Sequence, residues 1–140
     1  MAKLTDSRKP VLLVCETKNN GAPTVIGTHL DTLGWKSVCF LLGLGANAAA
    51  VTMKIQESAD AASWADIAGA VIAALDSDDD NKVVALEVAL VSPRLRYLKP
   101  VITISDAAPG AALSLWALLG DLSTAAADFA PKDLAQRVSV

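Results

Sequence analysis

Histidine occurs once, cysteine twice, and aromatic residues fill only 4% of the 140 positions, so the residue types most catalytic and metal sites are built from are scarce. Cys15 and Cys39 stand in no metal-ligand spacing. The pair could form one bridge, but buried thiols are favoured in a reducing cytoplasm. His29 has Thr28 beside it and Asp31 two residues on, with no serine in a nucleophile-elbow pattern. Cys39 lies in an apolar run where a thiolate is costly, which disfavours a His29–Cys39 dyad and favours a structural histidine. Gly43 and Gly45 in LLGLGAN lack the further glycine and the helix of a phosphate-cradling loop. No catalytic residue, bound metal or cofactor is expected, and the chain is not expected to be an enzyme.

Two further shortages bound the partners. Net charge is −3 and the isoelectric point about 5.0, which argues against a broad basic surface and hence against nucleic acid. Mean hydropathy is +0.42, yet no stretch reaches the ~18 uncharged apolar residues of a spanning helix, so no membrane partner is expected. The apolar run after MAKLTDSRKP ends at Glu16, too soon for a signal peptide, and synthesis in the cytoplasm is expected.

What is abundant is aliphatic. The apolar fraction is 53%, carried mainly by Val, Leu, Ile and Ala. In AVTMKIQES, Ala50 to Ser58, Val51, Met53 and Ile55 alternate with Thr52, Lys54 and Gln56, the period of a half-buried strand. Trp35 to Leu44 is rich in strand formers and is expected to form a hairpin with Ala50 to Ser58 through GANAA. A second hairpin is expected between Lys82 to Leu90 and Arg96 to Ser105, turning at Ser92, Pro93 and Arg94. Val11 to Thr17, Thr24 to Gly27 and Leu113 to Leu119 bring the strands to at least seven. Ile67 to Leu75, IAGAVIAAL, fits a short helix and an extended segment equally well. In the tail, Asp121 or Ser123 could cap a turn running to Phe129, and Pro131 could open another with Leu134 and Val138 on one face. These elements predict an all-β protein, a single antiparallel sandwich or barrel domain over residues 1–140, with 1–10 and 122–140 as possible extended arms.

Three groups of side chains carry candidate chemistry. Asp76, Asp78 and Asp80 with Glu87 fall at the carboxylate spacing of a calcium loop, although Asn81 replaces its glycine. The segment that follows is strand-like, so a solvated acidic turn is the favoured reading. Trp35, Trp64 and Trp116 could form a sugar-stacking platform, with core packing favoured and Trp64 suited to plugging one end of a sandwich. Arg94, Arg96 and Lys99 cluster around Tyr97, either as a solvated edge, the favoured reading, or as a docking patch for an acidic surface.

Four stretches in order, GWKSVCFLLGLG (Gly34 to Gly45), VTMKIQESADAASWADIAGA (Val51 to Ala70), DDNKVVALEV (Asp79 to Val88) and RLRYLKPVIT (Arg94 to Thr103), resemble the capsid-associated decoration, or cement, proteins of tailed bacteriophages. The resemblance implies a β-sandwich of jelly-roll type on the outer face of the head. There it would bridge neighbouring major capsid subunits, as a homodimer and with no catalytic residues. Candidate contacts with the shell are the terminal arms, including Lys3, Arg8 and Lys9, and the cluster of Arg94, Arg96 and Lys99. The alternative is a carbohydrate-binding or adhesive sandwich on a virion surface.

Overall fold

Where a strand buries one side only, its alternation should survive in the fold. The computed structural model describes residues 8–18, 24–25, 28–47, 50–104, 111–120 and 134–140. In chain order the strands are β1 (Arg8–Lys18), β2 (Thr24–Val25), β3 (Leu30–Asp31), β4 (Ser37–Asn47), β5 (Val51–Ser58), β6 (Ala65–Leu75), β7 (Val83–Ala89), β8 (Tyr97–Ile104), β9 (Ala111–Gly120) and β10 (Leu134–Ser139). A one-turn 3-10 helix at Ser77–Asp79 joins β6 to β7. On β5, Val51, Met53 and Ile55 are buried while Thr52, Lys54 and Gln56 are partly exposed, as their alternation requires.

The strands form two sheets. One has the order β1-β9-β4-β7-β10, the other β2-β8-β5-β6 with β3 also paired to β8. All pairs are antiparallel except β10 with β7. Their inner faces share one hydrophobic cluster, with Phe40, Leu42, Leu86 and Leu115 from one sheet and Met53, Ile55, Ile72 and Ile102 from the other. The protein is therefore an all-β sandwich, as its aliphatic content and short strands predict.

Neither expected hairpin forms. β4 lies between β7 and β9 while β5 lies between β6 and β8, and β7 and β8 likewise belong to different sheets. The turn at Ser92 and Pro93 is present, but the β7–β8 connection crosses between the sheets instead of returning along one; of GANAA, Gly45 to Asn47 belong to β4 and residues 48–49 lie outside the described residues. The pairing is nested: β1 with β9, β2 with β8, β4 with β7 and β5 with β6.

The ambiguous stretch Ile67 to Leu75 is extended. Its buried residues Ile67, Ala70, Ile72 and Leu75 are spaced by three, two and three because β6 is bulged. The two steps from Lys54 to Gln56 are matched by five steps from Asp66 to Val71. Gly69, at φ +81°, supplies the left-handed residue within this excess. Bulges thus give a strand the apolar spacing of a helix.

The ends of the chain also depart from expectation. Arg8 to Pro10, assigned to an arm, open β1 and pair with Gly120 to Leu118. Leu134 and Val138, assigned to one face of a helical turn, lie in β10, with Val138 packed against the core. β10 gains its place by pairing with β7 and by the bonds Val140 N–H to Glu87 O and Ala89 N–H to Val140 O, each 2.9 Å. Lys3, the expected turn from Asp121 or Ser123 to Phe129, and Pro131 lie outside the described residues.

Complete burial makes the core sensitive to volume. Phe40→Ala is expected to cost about 3–5 kcal/mol and Ile55→Val about 0.5–1.5 kcal/mol, read from urea denaturation midpoints at unchanged m-value.

Candidate functional site

Because the chain changes sheets at most of its connections, loops gather at the two ends of the sandwich, and the ends differ in charge. At one end, Arg8 opens β1 opposite Gly120, which is also opposite Ser37 at the start of β4. Beside it lie the β3–β4 turn, Thr32 to Lys36, and the β7–β8 crossover, Leu90 to Arg96, tied together by Leu90 N–H to Lys36 O at 2.9 Å. This end holds Arg8, Lys9, Lys36, Arg94, Arg96 and Lys99, with Asp31, Glu57 and Asp60 and, as deep in their strands as Lys99, Asp66 and Glu87. The opposite end, where β6 gives way to β7, holds Asp76, Asp78, Asp79 and Asp80 against Lys82. All the described members of the expected contact set, Arg8, Lys9, Arg94, Arg96 and Lys99, therefore fall at the cationic end.

Asp31 organises that end. Its Oδ1 accepts from Arg96 Nε at 2.8 Å and from the Leu33 N–H at 3.0 Å, and its Oδ2 accepts from Arg96 Nη2 at 2.7 Å. Thr32 N–H and Oγ1 both donate to the Arg96 carbonyl, so two separate loops are clamped to each other. Gly34, at φ +85°, gives the intervening turn its left-handed residue. The Arg96 guanidinium, then the Leu33 amide, hold the Asp31 carboxyl at about 2 against an ordinary 3.8.

An aromatic group adjoins this clamp. The exposed His29 ring meets Tyr97 edge-on at 5.3 Å and Trp64 at 5.9 Å. Lys99 Nζ lies 4.1 Å from the centre of the Trp64 ring and the Arg96 guanidinium 5.0 Å from that of Tyr97. Trp64 is positioned by a turn in which Asp60 Oδ1 accepts from the Ala62 and Ser63 amides and from Ser58 Oγ, at 2.8 to 2.9 Å. The two amides are the main cause of an Asp60 pKa lowered to about 2. His29 and Cys39 are not brought together: Cys39 lies on β4 in the other sheet, on its outer side between the inward Val38 and Phe40.

Arg94 sits deeper. Its Nη1 lies 3.6 Å from Glu57 Oε2, which itself accepts the Leu95 N–H at 3.0 Å. That nitrogen is shielded from solvent and makes no hydrogen bond. The Arg94 side chain borders a cleft of about 240 Å³ lined also by Thr32, Leu33, Trp35, Leu90 and Arg96.

The acidic segment at the far end is a capped turn. Asp76 Oδ1 accepts from the Asp78 N–H at 2.9 Å, Asp79 Oδ2 from the Asp76 N–H at 3.3 Å, and Lys82 Nζ donates to the Asp78 carbonyl at 2.7 Å. Glu87 lies out on β7 and accepts from Ser139 Oγ at 3.2 Å. Among the described residues no three carboxylate, thiol or imidazole groups are gathered to hold a metal ion. Cys15 pairs with Ser114, which pairs with Gly43, so Cys15 and Cys39 are two strands apart and four residues out of line. Sheet spacings put them roughly 17 Å apart, too far for an intrachain bridge.

A second surface carried no sequence motif. On the outer side of the five-stranded sheet, Leu12, Trp116, Leu41 and Ala85 form one row across β1, β9, β4 and β7. Leu12 is 49% exposed, Trp116 42% and Val83 38%. Leu118 and Cys39 continue the face, and charge stands at its margins, with Arg8 laid across Gly120 and Glu87 opposite Cys39. The expectation of core packing therefore fails for Trp116, whose indole N–H donates to Ser114 Oγ at 3.0 Å. Trp35 does pack against the core, and Trp64 is half-buried. The signal for this face was the lack of alternation in VCFLLGL and ALSLWALL, which implies cover on both sides. The other sheet is mixed outside, with Lys54 Nζ and Gln56 Nε2 both 2.8 Å from Asp66 and Val71, opposite Lys54, 51% exposed.

No protein-family model matches the chain, and no curated protein matches it in sequence. No helix among the described residues is long and apolar enough to cross a membrane.

The lowered carboxyls set a pH dependence. Their contribution to stability is complete above the unfolded value near 3.8 and is lost as pH falls through the folded values near 2. The melting temperature should fall between pH 4.5 and 2, and less steeply in Asp31→Asn, which should also melt lower than the parent at pH 7. Calcium followed by chelator should leave the melting temperature unchanged, because the carboxylates of the acidic turn already accept from its own backbone.

Proposed function

We propose that the chain is a non-enzymatic structural protein of a tailed-phage virion that binds the outer surface of the capsid and stabilises the shell by bridging major capsid subunits. The observation that carries this reading is the gathering of Arg8, Lys9, Arg94, Arg96 and Lys99 at one end of the sandwich, with the acidic turn at the other. A molecule polarised along its strands docks end-on to an acidic surface, and the charge also speeds its approach. The four resembling stretches supply strands to both sheets; Gly34 to Gly45, Val51 to Ala70 and Arg94 to Thr103 reach this end, and Asp79 to Val88 starts at the acidic one. In length and composition the chain looks most like the cement protein of a Bordetella tailed phage. The nested strand pairing supports the jelly-roll form of sandwich.

The outer face bearing Leu12, Trp116 and Val83 supports a homodimer. An apolar sheet face with an exposed tryptophan is a protein-binding surface, and its small charge suits a copy of itself across a two-fold axis better than an ionic shell surface. The carbohydrate-binding alternative needs an open aromatic face beside polar groups. Trp64 has Lys99 against its ring, and Trp116 has Leu12 and Leu41 as register neighbours.

Purified protein should bind emptied, undecorated heads of the encoding phage and raise their resistance to heat. Arg96→Glu combined with Lys99→Glu should abolish that binding while the isolated protein stays folded. Trp116→Glu should convert a dimer to a monomer in sedimentation. Heads that take up no protein, or take up the doubly reversed variant equally well, would sink the capsid reading.

A further inference from the structure

The cleft at the cationic end has features that surface docking does not explain. It is bounded by the β3–β4 turn and the β7–β8 crossover, and its two charged lining groups are both guanidiniums, Arg94 and Arg96. Their counter-ions, Glu57 and Asp31, do not line it. Arg96 spends Nε and Nη2 on Asp31, which leaves its Nη1 donors uncommitted to that pair. Arg94 Nη1 is shielded from solvent and faces Glu57 Oε2 at 3.6 Å without a hydrogen bond, while the Arg94 side chain lines the cleft. The rest of the lining is Leu33, Trp35, Leu90 and Leu95, with Thr32 and Gly34 of the β3–β4 turn. The clamp of Thr32 and Asp31 on Arg96 holds both walls in place, so the cleft is preformed.

Size narrows the ligand. About 240 Å³ falls below the ~300–1,000 Å³ of small-molecule sites and suits a group of single-residue size. Within that volume the ligand must offer an anionic acceptor to Arg94 and an apolar group to Trp35 and Leu90. In the interior of an extended peptide, an acidic and an apolar side chain on adjacent residues point to opposite faces. At a chain end, the carboxylate and the side chain leave the same Cα.

We propose that this cleft captures the C-terminal residue of a partner polypeptide, an aliphatic one, with its α-carboxylate on the Arg94 guanidinium and its side chain against Trp35 and Leu90. The inference is independent of the capsid reading, since a peptide probe reports on the cleft alone.

The test is a titration of the full chain with acetyl-Ala-Ala-Leu, followed by amide NMR shifts. Shifts confined to Thr32 to Lys36 and Leu90 to Arg96 are expected. The C-terminal amide of the same peptide should bind about ten- to a hundredfold more weakly, the factor for losing a charge-assisted hydrogen bond. Arg94→Gln should weaken the free-acid peptide by a similar factor and leave the amide unchanged. Because Arg94→Gln also removes the contact with Glu57, Leu33→Glu gives a second reading: Leu33 is 68% exposed, so the fold is preserved, while the new carboxylate at the cleft should repel the ligand. Equal affinity for acid and amide would overturn the proposal, as would absence of shifts at millimolar peptide. Equal binding of acetyl-Ala-Glu-Leu amide would overturn the assignment to a chain end.

Discussion

Phe40, Leu42, Leu86 and Leu115 on one sheet and Met53, Ile55, Ile72 and Ile102 on the other lose nearly all contact with water when the sheets close. Each side chain of this kind contributes about 1.5–3 kcal/mol relative to an exposed position. That closure also dictates the path of the chain. β4 and β5, or β7 and β8, bury their apolar sides against each other only by lying in opposite sheets, so their connections span the ~10 Å between sheets at the ends of the sandwich. The Asp31–Arg96 clamp, the cleft and the cationic cluster all stand on such connections. Their contribution to stability is small, since exposed ion pairs are weak. Their position is nonetheless inherited from the core.

Strand identity was legible because it is local. Alternation in VTMKIQES and the density of Val, Ile and Leu in VVALEVA and YLKPVITI mark strands without reference to any partner. Partner choice was not legible, because a turn such as Ser92 to Arg94 has the same composition whether it closes a hairpin or crosses the core. β6 misled through its period: a bulge around Gly69 shifts the buried set to Ile67, Ala70, Ile72 and Leu75, a helix-like spacing. β10 carries little strand signal of its own and is held by its ladder with β7, a non-local gain that composition does not register.

The candidate site was legible in part for the same reason. Arg94, Arg96 and Lys99 are neighbours in sequence, so their cluster around Tyr97 could be read directly. Arg8, more than eighty residues away in sequence, reaches the same end of the sandwich only through the β1–β9 ladder. Asp31 attracted notice only as a neighbour of His29, whereas its role is to receive Arg96 across 65 positions. Trp116 was assigned to the core because large aromatic rings are usually covered. That generalisation holds for assemblies as well as for single chains, and in the proposed homodimer the element covering the outward Trp116, among Leu12, Leu41 and Val83, would be a second copy of the chain.

The two surfaces reinforce each other in the proposed arrangement. A two-fold contact through the apolar face ties two cationic ends into one particle, and a second attachment made from a tethered partner strengthens binding by about 10²–10⁴ without any new contact. The acidic turn then has a use that needs no metal. Placed at the β6–β7 connection, at the end away from Arg94 and Arg96, it would meet an acidic shell surface with repulsion whenever the molecule approached the wrong way round. In that proposed arrangement orientation would be selected by charge at both ends, leaving the apolar face to choose a copy of itself.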